Sequence, residues 1–249
     1  MELKDINKLK KKESKKIYKT AKKEYKRSIN KVKHEYYVKL NSAPKRGVLE
    51  EIGNSITHGV GALVGVFGFV VLLLNSNTTL KLSASLVYGI SIIVMMLMSC
   101  LYHSFKCDTV VKRIFRRFDY IGIYLLIGGT FAPIYLVYYG NTLGIVLFVI
   151  QWILIITGIV FISIFGPGRV KILNFILYFA IGWSGLMFIP DFIKNNINLL
   201  NFILLGGLVY TFGMIPFLMK NSKVSHFIWH FCVLFGALIQ FIGIINFIY

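Results

Sequence analysis

A chain of 249 residues, 56% of them hydrophobic and with a mean hydropathy of +0.69, is not a soluble globular domain; it has the composition of a polytopic membrane protein. The formal charge of +18 is not a nucleic-acid signature, because 17 of the 28 Lys and Arg residues crowd into residues 1–46 and most others fall between apolar runs. Three cysteines, Cys100, Cys107 and Cys232, are too few and too scattered for a disulfide framework.

Residues 1–46 read as a basic cytoplasmic tail, partly helical or disordered. Ile6, Leu9, Ile17, Ala21, Tyr25, Ile29, Val32 and Tyr36 recur at steps of three, four or eight, a narrow apolar stripe on a Lys-rich helix. Two readings stand. The tail is a solvated segment that fixes orientation, or it lies on anionic inner-leaflet lipids, where each basic residue contributes ~1 kcal/mol. No cleavable signal peptide is visible in this polar N-terminus, so the first apolar run is expected to be its own membrane signal. Pro44 and Gly47 interrupt the helical pattern and separate the tail from a transmembrane domain over residues 47–249.

Seven apolar runs follow, near residues 55–74, 82–105, 119–139, 142–165, 172–189, 199–219 and 224–248, each long enough to span a bilayer, the fifth only barely. The connecting charges alternate. Lys81 stands alone in the first loop, whereas the second holds Lys106, Lys112, Arg113, Arg116 and Arg117 and the third, around Gly140-Asn141, none. Arg169 and Lys171 lie in the fourth loop, Lys194 in the fifth, Lys220 and Lys223 in the sixth. The expected fold is therefore an all-α, seven-helix bundle of the cell membrane, with the N-terminus cytoplasmic and Tyr249 extracytoplasmic. Gly61-x-x-x-Gly65, Gly128-Gly129 and Gly206-Gly207 permit close helix contact, and Pro133 and Pro216 are expected to kink their helices.

In that topology four helices bring their polar side chains to one layer near the cytoplasmic face. Helix one begins with Glu50, Glu51, Asn54 and His58, helix two ends with Ser99 and His103, helix three begins at Asp119, and helix seven begins with His226 and His230. The outer ends hold nothing comparable. Asn54 and His58, Ser99 and His103, and His226 and His230 are each one helical turn apart and share a face. Ionisable groups at membrane depth are costly and mark sites. Taken singly, a histidine at a helix end is more often an interfacial or hydrogen-bonded packing residue than a ligand. Taken together, His103, His226 and His230 would form a three-histidine metal site with an open position, the catalytic kind. Zinc there would lower the pKa of water to ~7. Asp119 would accept or position its proton, or else pair with Arg116 or Arg117 and cap a helix start. Ser99 would assist the water or stabilise an oxyanion. Glu51, Asn54 and His58 are candidates to fix the imidazoles from behind. Cys100, three residues before His103, is a weaker ligand candidate, and His34 sits in the tail.

At these residues the chain resembles the hemolysin III family, the bacterial branch of the progestin and adipoQ receptors. The resemblance is carried by the stretch from Glu50 to Gly59, by Ser99-x-x-x-His103 with Tyr102 and Ser104, by Phe118-Asp119-Tyr120 running on to Gly129-Thr130, and by His226-x-x-x-His230. It covers nearly all of residues 48–249 and leaves out the basic tail. It implies seven helices, a cytoplasmic N-terminus, and zinc held by His103, His226 and His230 with Ser99 and Asp119 nearby. Alkaline ceramidases, a wider set of relatives, hydrolyse lipid amides with such a site. Many relatives carry a further histidine in the seventh helix where this chain has Gln240, which lies outside the ligand set. The expected function is a zinc-dependent hydrolase of lipid amide bonds acting on a membrane lipid or fatty-acyl substrate. The alternatives are a pore-forming cytolysin and a receptor-like bundle with structural zinc. A pore sits poorly with spans that lack a polar stripe across the whole membrane.

Overall fold

A computed structural model describes residues 3–219 and 224–249. Lys220 and Lys223, assigned above to the sixth loop, lie outside the described residues, as do the side chains of Ile6 and Leu9. The chain divides into two compact units, Met1–Ser42 and Ala43–Tyr249. The first is one helix, α1 (Leu3–Asn41), with Ile17, Tyr18, Tyr25, Val32 and Tyr36 exposed along it.

The second unit is helical throughout its elements: α2 (Val48–Leu74), α3 (Thr79–Ser104), α4 (Val110–Pro133), α5 (Thr142–Phe165), α6 (Lys171–Gly182), α7 (Ile189–Asn195), α8 (Ile197–Leu218) and α9 (Ser225–Phe247). Among the described residues, seven spans are long and apolar enough to cross a membrane, α4 running on to Tyr139 and the fifth span combining α6 and α7. Side-chain oxygens set several starts. Thr78 accepts the Lys81 amide, Thr109 the Lys112 amide, Asn141 the Gly144 amide and Asn196 the Leu199 amide.

Two spans depart from uniform α-helix. After Pro133, which cannot donate to the ladder, the third span widens into a π-helical turn over Ile134–Tyr139. The fifth span breaks between Gly182 and Ile189, where Ser184–Phe188 form a 3₁₀ turn. Pro216 falls in the closing turn of α8, where the Met219 amide donates to its carbonyl.

α3 packs between α2 and α4, α9 packs against both α2 and α8, and α5 and α6 lean on α4. The main core lies where α2, α3, α4 and α9 meet, around Ala62, Tyr88, Met95, Met96, Leu126 and Val233. Close approach there depends on missing side chains. A Cβ on Gly61 would lie 2.8 Å from the Met96 sulfur, and one on Gly122 would lie 3.0 Å from the Met95 Cα. The second contact draws the middle of α4 against α3.

Two expectations need correction. Asp119 does not begin its helix. α4 starts at Val110, so Lys112, Arg113, Arg116 and Arg117 are helical residues and Asp119 sits more than two turns inside. Nor is the far end of the bundle devoid of polar structure. The Tyr249 hydroxyl bonds Ser85, which bonds Ser76, while Lys81 donates to the Tyr249 carbonyl.

Candidate metal centre

His103 closes α3 while His226 and His230 open α9, and the packing of these helices around α2 brings all three to one point. Their ring centroids stand 4.6 Å (His103 to His230), 4.9 Å (His226 to His230) and 5.2 Å (His103 to His226) apart. One ligand nitrogen from each lies within 4.8 Å of the others, and all three residues are buried.

The free nitrogens are the decisive detail. His103 Nε2, His226 Nε2 and His230 Nδ1 are buried and lack a hydrogen-bond partner among the described residues. A buried polar nitrogen left unpaired costs roughly 1–3 kcal/mol, so three at one point describe a site built for something to fill it. Three neutral imidazoles converging with free lone pairs suit a divalent transition-metal ion.

The opposite nitrogen of His103 fixes which lone pair is free. Its Nδ1 lies 2.6 Å from Glu51 Oε2, so the N–H is on Nδ1 and donates to the carboxylate, leaving Nε2 open. Glu51 Oε1 in turn accepts from Lys112 Nζ at 2.9 Å, and Lys112 also donates to the Phe105 carbonyl. Lys112, read above as a loop charge, is 1% exposed and neutralises the carboxylate that orients a candidate ligand. Asn54 Nδ2 approaches the same Nδ1 at 3.4 Å, too far to compete with Glu51. His58 stands behind His230, ring centroids 3.9 Å apart, with Nε2 donating to the His230 carbonyl at 3.3 Å; it is outside the three-residue set. Cys100 is also outside it, its sulfur 3.4 Å from the Ser55 hydroxyl.

Glu51→Gln is expected to cut metal affinity by about 10–100-fold, because a neutral amide holds the His103 tautomer more weakly. Competition with a metal-sensitive dye measures this. Glu51→Gln with Lys112→Met, which removes the stranded ammonium, should recover stability without recovering affinity.

Asp119 and Ser99 line a cavity beside the histidines that His226, His230, His58 and Arg46 also line. The Arg46 and Arg116 guanidiniums add positive charge beside the Asp119 carboxylate. Arg46, counted above with the tail, belongs to the second unit and donates to the Tyr102 hydroxyl at 3.3 Å. The spacing of Lys112, Arg116 and Asp119 at steps of four and three would have revealed them as one face of a helix.

This cavity shares Met95, Tyr120, Ile123, Phe217 and Trp229 with a second, larger one. The second is walled almost wholly by apolar and aromatic side chains of α3, α4, α6, α8 and α9.

A family model described as "Haemolysin-III related" matches residues 47–241, the whole of the region that carries the histidines. The chain belongs to the haemolysin III family. It is 34% identical over 204 residues to Hemolysin-3 of Bacillus cereus, covering 81% of this chain and 93% of that protein. It is 33% identical over 197 residues to a Hemolysin-3 homolog of Bacillus subtilis strain 168, covering 78% and 92%. As a haemolysin III protein with seven spans it is a multi-pass membrane protein, and both matches are shorter than the chain by about the length of α1.

Proposed function

We propose that this haemolysin III protein is a zinc-dependent hydrolase of lipid amide bonds, working in the cell membrane with its histidine cluster near the inner leaflet. The carrying observation is a juxtaposition: three buried imidazoles with free nitrogens adjoin a cavity walled almost wholly by apolar and aromatic side chains, the lining that an acyl chain needs. A purely structural metal has no use for such a neighbour. The inner-leaflet placement follows from the Lys and Arg residues that flank this end of the bundle.

Zinc held by His103, His226 and His230 would supply Lewis acidity toward the substrate carbonyl and lower the pKa of water to ~7. The chain's own residues do the rest. Asp119 takes the proton of the attacking water, with Ser99 beside it in the same cavity. As the carbonyl carbon gains the water oxygen and the C–N bond breaks, the same proton passes from Asp119 to the leaving amine. Arg46 and Arg116 favour the carboxylate product by charge. The resemblance to the hemolysin III family, whose wider set of relatives includes alkaline ceramidases, supports the same reaction. The test is fatty-acid release from a ceramide-like panel of N-acyl lipids, followed by mass spectrometry. Release that stops with a chelator is expected, and no release from any member would favour a receptor with structural zinc.

The name shared by the relatives favours a second reading, membrane lysis. Release of dye from liposomes that persists after metal removal would support a pore instead.

The basic helix α1 is assigned to anionic inner-leaflet lipids. It carries 15 Lys and Arg against four acids, and an exposed stripe of Tyr18, Tyr25, Val32 and Tyr36. Two such helices would repel each other, whereas an anionic surface attracts both features. Residues 42–47 tether it to the first span. In full-length protein, a spin label replacing Tyr25 is expected to be shielded from a polar quencher in phosphatidylglycerol vesicles and accessible in phosphatidylcholine vesicles. Equal accessibility in both would refute the assignment.

A further inference from the structure

Helices α2, α3, α4, α8 and α9 supply most of the lining of the cavity beside the histidines. Among the described residues of that lining, only Pro44 and Arg46 lie outside a helix. Both belong to the short stretch Ala43–Gly47 that leads into α2. They also differ from the rest in what lies behind them. His58, Ser99 and His230 are buried, whereas Pro44 is exposed and Arg46 partly so. A residue that lines a cavity and also meets the outside is the full thickness of the wall, so the wall there is a single pass of backbone.

This strap is held chiefly by its side chains. Residues 43–47 form neither helix nor strand, and Pro44 has no N–H to give. The Arg46 guanidinium donates to the Tyr102 hydroxyl on α3 at 3.3 Å, and the Lys45 ammonium lies 3.3 Å from the Asp108 carboxylate in the turn after α3. The Lys45–Asp108 pair is exposed and adds little. The Arg46–Tyr102 bond has a charged donor and a buried acceptor residue, so it contributes more. A segment fastened by so few contacts opens far more readily than the packed helices around it. The larger cavity next door offers no substitute route, because its apolar and aromatic wall cannot replace the hydration of an ion, a water or a charged amine.

We infer that Ala43–Gly47 is a gate for polar species, passing the metal ion, water and the released amine between the histidine cavity and the aqueous phase at that end of the bundle, with Arg46 on Tyr102 as its latch. The inference rests on the reading of this cavity as the reacting site and adds the route that serves it.

The experiment places one thiol in the cavity by Ser99→Cys, in full-length protein whose Cys100, Cys107 and Cys232 are replaced by alanine, and follows its labelling by a charged thiosulfonate in detergent. A thiol at exposed Lys106→Cys gives the reference rate. Labelling at position 99 is expected to be much slower than at 106 with the strap intact. Tyr102→Phe, which removes the latch acceptor without altering the strap, should speed it on the order of tenfold. Adding Lys45→Met should speed it further, and Tyr102→Phe alone carries the test if the double variant fails to fold. A rate unchanged by Tyr102→Phe would overturn the gate, as would a thiol at 99 that reacts as fast as the reference before the latch is removed, or one that never reacts. The labelling needs neither zinc nor a lipid, so the gate fails or stands apart from the hydrolase.

Discussion

Replacing His226 and His230 together by alanine is expected to strip the purified protein of zinc, from about one ion per chain to a trace level. The two residues supply two of three candidate ligands from consecutive turns of one helix, so His103 alone is left, and a single imidazole does not retain a divalent ion through purification. Elemental analysis after gel filtration gives the stoichiometry directly. The alanines open space in a buried position, so the control is His226→Gln with His230→Gln, which keeps volume and polarity but not the imidazole lone pairs. Undiminished zinc in either double variant would remove the metal centre and, with it, the hydrolase.

The second large effect is expected at Asp119. Asp119→Asn keeps shape and leaves all three imidazoles untouched, so zinc content should stay at the wild-type level. Fatty-acid release should fall by about 10²–10⁴-fold, the usual worth of a positioned acid–base group. Ser99→Ala, which removes a hydroxyl from the same cavity, should produce a smaller loss in the same direction. Release by Asp119→Asn at the wild-type rate would remove the acid–base role and leave the carboxylate a charge partner of Arg46 and Arg116. The metal content, measured on the same preparation, separates this outcome from loss of the site.

Much of the fold was legible because membrane spans announce themselves by length and apolar content. All seven runs correspond to the seven spans, the sixth and seventh to within two residues at each end. The histidine cluster was legible for a related reason. An apolar chain has few ionisable residues within its spans, so His103, His226 and His230 stood out, and matching them by depth required only the alternation of chain direction. What hydropathy hid lies at the polar ends of helices. The first turns of α4 carry Lys112, Arg113, Arg116 and Arg117, which read as a loop, yet Thr109 caps a helix there and Lys112 is buried against Glu51. Arg46 was absorbed into a tail rich in similar charges, although it lines the site. The break at Gly182–Ile189 left no mark in a run of otherwise apolar residues. Charge that serves a buried partner and charge that meets water look the same one residue at a time.

The placement of the three imidazoles on α3 and α9 also sets when the centre can exist. Ribosomes deliver this chain from its N-terminal side, so His103 is threaded into the bilayer long before His226 and His230 have been made. An unfinished molecule holds one third of the cage and no means of trapping an ion. Only insertion of the seventh span brings the trio together, which keeps any hydrolytic reactivity out of half-built chains still docked at the insertion machinery.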